Sequence, residues 1–148
     1  PICDVILAIK LLEQSHFGAV FGSRNQSRLQ FQASLRAVYG DKKILSKLSF
    51  LGSFVISAIF ALRFGMLFSD PLTGFRLFKR SRIEPWLQGV NLQKIKTPIG
   101  LTTCLIQNNI EIAELPVNYR TFAGFVDPHW RIQRGLKNLI GLLIGRAS

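Results

Sequence analysis

The chain has 148 residues, 48% of them apolar, and carries 19 Lys and Arg against 8 Asp and Glu for a net charge of +11. That length and apolar content provide for one domain with a core of its own and argue against a disordered chain, while the charge points to a partner that carries phosphates: a nucleic acid, an anionic membrane surface or a phosphorylated small molecule. Cys3 and Cys104 lie far apart without CxxC spacing and have only His16 and His129 as companions, so neither a zinc site nor a disulfide framework is expected.

The first residues, PICDVILAIKLLEQ, enter an amphipathic helical pattern directly, with Pro1 in place of Met and no charged leader or cleavage site, as expected of a start inside a longer protein. Val5, Ile6, Ile9 and Leu12 mark the apolar stripe, with Asp4 placed to cap the helix and Gly18 to stop it. GAVFGSR reads as a short buried central strand, its run from Ala19 to Phe21 bounded by Gly18 and Gly22, which feeds a loop with Ser23, Arg24 and Arg28. A polar helix is expected over residues 27–39, ended by Gly40 and the charges after it. Residues 48–68, LSFLGSFVISAIFALRFGMLF, contain Arg63 as their only charge and match the roughly 20 residues of a bilayer span. The position of Arg63, the serines and the lack of an aromatic and basic boundary on both sides favour instead a helix buried against protein or lying in the membrane interface.

TGFRLFKR alternates Phe75 and Leu77 with Arg76 and Lys79, the pattern of a strand with one wet face. SRIEPWLQG offers a capping serine and a short helix. In KTPIGLTTCLIQNN, Thr97 is the N-cap, Pro98 the first helical residue and Asn108-Asn109 the stop. IEIAELPVNYR places Leu115, Val117 and Tyr119 on one side of an extended segment, and Pro116 marks a sheet edge or a bend. A last helix over residues 131–144 sets Arg131, Arg134 and Lys137 on one face and Leu136, Leu139, Ile140 and Leu143 on another, in the manner of an interfacial helix or of a packed helix with a basic edge. The alternation of helices and strands predicts an α/β layer structure, with few strands for a self-sufficient sheet.

In this order and at these separations, VFGSR, SDPLTGFRLFKRS and IEIAELPVNYR resemble the second half of a family 2 glycosyltransferase of the polyprenyl-phosphate (dolichyl-phosphate mannose synthase-like) branch, over nearly the whole chain. The resemblance implies an α/β fold that is the acceptor-side, C-terminal half of a GT-A (Rossmann-like) domain with an incomplete sheet, its nucleotide-binding half lying before residue 1. It implies a hexosyltransferase that takes a nucleotide-sugar donor and a lipid-phosphate acceptor, polyprenyl phosphate or another membrane-linked group, and that sits against the anionic membrane surface on the cytoplasmic face. It also implies a divalent metal, Mg or Mn, on a D-x-D motif of the full-length enzyme. No D-x-D occurs here, because Asp4, Asp41, Asp70 and Asp127 are isolated from one another, so the metal ligands are expected upstream and this chain alone is expected to be inactive.

Residue by residue, Asp70 matches the acid of the family pattern D-x-x-[TS]-G-[FY]-[RK], which serves as a base near the acceptor or orders its phosphate, and Thr73, Gly74 and Arg76 complete that pattern. An Asp before a proline turn can be aimed into a cleft, with Thr73 and Gly74 permitting the tight backbone that returns the next strand; by composition alone the same Asp is an Asx-type turn cap. Ser23 and Arg24 match the loop whose arginine faces the acceptor phosphate, a task suited to the guanidinium fork, and a solvated loop arginine is the plain alternative. Arg120 and Gly124 match YRxRxxGxS, with Phe122 in place of the second arginine and Arg131 and Arg134 nearby. The cluster Arg76, Lys79, Arg80 and Arg82 is a wet face or a contact for anionic headgroups. Two other classes stand beside this reading: a small basic membrane-anchored lipid-binding protein without catalytic activity, and a nucleic-acid-binding module, disfavoured because the aromatics lie in apolar runs rather than among the basic residues.

Overall fold

The computed structural model describes residues 2–24, 43–90 and 95–117, together with 133, 135–137 and 140. In chain order the elements are α1 (Ile2–Gln14), β1 (Ala19–Ser23), α2 (Lys43–Phe64), β2 (Arg76–Phe78), α3 (Arg80–Leu87), α4 (Pro98–Gln107) and β3 (Ile112–Pro116). The strands form one mixed three-stranded sheet in the order β2-β1-β3, with β1 antiparallel to β2 and parallel to β3. The α/β class expected from the alternation is therefore present, and β1 is central as expected.

Every residue of β1 is buried because each face of the sheet is covered. Val20 lies opposite Leu77 and Ala113, and this side packs with Phe75 and Leu115 on Ala8 and Leu12 of α1. The alternate residues Ala19 and Phe21 face Ile56 and Phe60 of α2, Ile99 and Leu105 of α4, and Phe68. Period-two alternation thus sorts one strand between two separate cores. Gly22 is needed at the crowded end: a Cβ there would sit 2.7 Å from the Phe75 ring and 2.8 Å from Val117 Cγ1.

Several local expectations are corrected. β2 has no wet face, since Phe75 and Leu77 pack toward α1 while Phe78 packs into the opposite core and Arg76 lies over the Phe21 ring. Lys79 also turns inward and donates to the carbonyls of Leu12 (3.0 Å) and Ser15 (3.3 Å), orphan acceptors at the end of α1. Asp4 lies buried in the first turn of α1, and α1 ends at Gln14, directly before SHFG as expected, but not on Gly18 itself, whose N–H bonds the Glu111 carbonyl at 2.9 Å. The long apolar helix begins at Lys43 and stops at Phe64, where Gly65 takes φ +67°, so that Phe68 returns to the core. The N-cap of α3 is Lys79, with no side-chain cap bond, and Ser81 lies inside the helix.

Other expectations hold. Thr97 caps α4 by accepting from Gly100 N–H at 3.0 Å, Pro98 opens the helix, and Asn109 follows with φ 55°. Pro116 ends β3, an edge strand of the described sheet. The expected helix over 27–39 and Tyr119 lie outside the described residues; of the segment 131–144, residues 133, 135–137 and 140 are helical. Among the described residues no helix is long and apolar enough to cross a membrane. The outer face of α2 is nonetheless apolar, with Ile44, Leu48, Leu51, Phe54 and Leu62 exposed beside Lys47.

Candidate functional site

The parallel pairing of β1 with β3 brings two carboxyl ends together, the place where open α/β sheets form their ligand crevices. The segment leaving α2 arrives at the same end. It is held by Glu114 of β3, which lies beside Phe21 in the sheet. The Glu114 carboxylate accepts from Ser69 N–H at 2.8 and 3.1 Å and from Asp70 N–H at 3.1 Å. The hydroxyls of Ser69 and Ser23 meet at 2.5 Å.

On that fixed backbone the Asp70 carboxylate grips Arg24. Arg24 Nε donates to Oδ2 at 2.5 Å, Nη2 to Oδ1 at 2.8 Å, and the Arg24 backbone N–H to Oδ2 at 3.4 Å. The two side-chain bonds make the bidentate, charge-assisted geometry that fixes a guanidinium in plane as well as in position. The Asp70 side chain is 3% exposed and that of Arg24 27%, so the pair offers its cationic member to solvent.

Thr73 closes the intervening turn. Its N–H bonds the Asp70 carbonyl at 3.1 Å, and its hydroxyl accepts from Phe75 N–H at 3.2 Å. The Asp70 side chain therefore serves Arg24 and not its own turn. Gly74 is not what makes the turn tight: a Cβ there would meet nothing within 4 Å, and its φ lies outside the left-handed region. Arg76 points inward, 4.3 Å above the Phe21 ring, and donates to the carbonyls of Thr73 (3.0 Å), Pro98 (2.9 Å) and Pro71 (2.9 Å). Burial lowers its pKa to about 10, with the negative charge of Asp70 acting in the opposite sense, so it keeps its charge at neutral pH. Arg76 thus clamps the 70–76 turn to the first turn of α4.

Of the residues singled out in the sequence, Ser23, Arg24, Asp70, Thr73 and Arg76 converge on this end of the sheet, Gly74 is exposed in the same turn, and Arg120 lies outside the described residues. Glu114 was missed. Its signal was an acid sharing a core-facing register with Phe21 and Ile112, a position where a charge has to find hydrogen-bond partners. The divalent metal is expected on a D-x-D motif upstream, and the carboxylates present here are engaged otherwise. Both Asp70 oxygens face Arg24, both Glu114 oxygens face backbone N–H groups, and among the described residues no three His, Cys, Asp or Glu converge.

In comparison with known proteins, no family model matches the chain, and no curated protein or solved structure matches it.

Proposed function

We propose that the chain forms the acceptor-side portion of a GT-A glycosyltransferase that moves a sugar from a nucleotide-sugar donor to a polyprenyl phosphate or another membrane-linked phosphate. The observation that carries this reading is the Arg24–Asp70 fork beyond the carboxyl end of β1: a partly exposed guanidinium oriented by a buried carboxylate. A phosphate-binding arginine gains from such preorganisation because its direction is set before the ligand arrives. The engagement of both Asp70 oxygens favours Asp70 as the residue that orients Arg24 over Asp70 as a base.

The chemistry is consistent with that role. An acceptor phosphate held by Arg24 brings its own anionic oxygen as nucleophile, so no proton has to be removed. That oxygen attacks the anomeric carbon, the sugar–phosphate bond forms, the bond to the donor diphosphate breaks, and the nucleoside diphosphate leaves with the electron pair. Neutralising the leaving group falls to ligands outside the described residues. The apolar outer row of α2 beside Lys47 supports placement on an anionic, cytoplasmic membrane surface.

The test is transfer of radiolabelled sugar to polyprenyl phosphate in membranes from cells that express the complete gene. Arg24→Lys keeps the charge and loses the fork, and is expected to raise the acceptor KM about tenfold, ~1.4 kcal/mol, with the donor KM unchanged. Absence of any lipid-linked sugar from wild-type membranes across the common nucleotide sugars would overturn the proposal.

A further inference from the structure

We infer that Glu114 is a positioning residue for the Arg24 anion site: by holding the backbone N–H groups of Ser69 and Asp70, it sets the direction from which Asp70 grips Arg24. The functional part rests on the phosphate-binding role proposed for Arg24; the structural part rests on geometry alone.

A carboxylate on the core-facing side of a sheet is costly unless it is fully hydrogen-bonded. The bonds found for Glu114 go not to a cation but to two successive backbone N–H groups, the arrangement in which a short run of backbone makes a concavity for an anion. Closing that concavity with a side chain fixes the backbone from which the Asp70 side chain departs. The order of contacts is then Glu114 to the Asp70 amide, the Asp70 carboxylate to Arg24, and Arg24 to solvent. Without the first contact, Asp70 and Arg24 keep their charges but lose their single mutual orientation. Strand β3 thereby takes part in the site without touching a ligand.

The experiment compares wild type, Glu114→Gln, Asp70→Asn and the double variant, each expressed from the complete gene. Gln keeps the size of Glu but has one acceptor oxygen and turns an NH2 group toward backbone donors. One readout needs no substrate. Glu114→Gln is expected to speed hydrogen exchange at the Ser69 and Asp70 amides at least tenfold and to shift the Arg24 Nε–H resonance, with the β1 amides unchanged. The other readout is kinetic: an acceptor KM raised about fivefold, an unchanged donor KM, and a double variant no worse than Asp70→Asn alone. Should Glu114→Gln not fold, Glu114→Asp, which keeps the charge but shortens the reach, gives the same readouts. Unchanged amide exchange and an unchanged Arg24 signal in a folded variant would overturn the inference, as would losses that add in the double variant. A shifted Arg24 signal in a protein whose wild type transfers no sugar upholds the positioning role of Glu114 and removes only the glycosyltransferase reading.

Discussion

Asp70 separates two kinds of chemistry that a motif cannot tell apart. Asp70→Asn leaves one acceptor oxygen for two guanidinium donors and places an NH2 group against Arg24, so a partly buried bidentate pair is broken from its acidic side. If Asp70 orients Arg24, the variant should raise the acceptor KM at least tenfold and leave the pH dependence of kcat unchanged; a base would instead lose kcat and the acidic limb of the pH profile. Steady-state kinetics from pH 5 to 9 decides between them. Both residues could be singled out in the sequence because GSR and DPLTGFR stand in order among the strings that carry the resemblance. Their pairing was not, because 46 positions separate them and only the sheet brings them together. Glu114 was hard to read for a related reason: with Leu115, Val117 and Tyr119 on one side of the segment, the face that Glu114 shares with Ile112 reads as the wetter one until both faces of the sheet are known to be covered.

Among the elements, β1 was readable from its glycine-bounded apolar run and α4 from Thr97-Pro98 and Asn108-Asn109, since these signals act locally. β2 was misread because alternation registers polarity and cannot register that an arginine is satisfied in the interior. Arg76 joins β2, the 70–76 turn and α4 through carbonyl acceptors and an aromatic ring. Arg76→Met fills part of that volume but leaves the carbonyls of Pro71, Thr73 and Pro98 without this donor, and is expected to cost about 2–4 kcal/mol. Arg76→Lys retains a point charge but cannot span acceptors spread around a planar fork, so it should recover less than half of the loss. Urea unfolding midpoints at constant m-value give both figures.

For the whole molecule, charge and apolar surface act together. On the membrane-surface placement proposed above, a net charge of +11 and the exposed Leu48, Leu51 and Phe54 of α2 would complement an anionic bilayer, the apolar row entering the headgroup boundary and the cations staying above it. In that proposed surface mode, binding is expected to be partly electrostatic. Raising salt from 0.1 to 1 M should release most of the protein from anionic vesicles, as should Leu48→Gln combined with Leu51→Gln at low salt; flotation assays measure both, and retention until detergent is added would count against a surface mode. The sheet order carries a further consequence, one of timing. β1 receives its antiparallel neighbour once Phe78 has been made, but its parallel neighbour begins only at Ile112. At roughly 5–20 residues per second of synthesis, the central strand waits on the order of seconds with one long edge open. Val20 and Phe21, fully buried in the finished fold, are for that interval among its residues most vulnerable to mispairing.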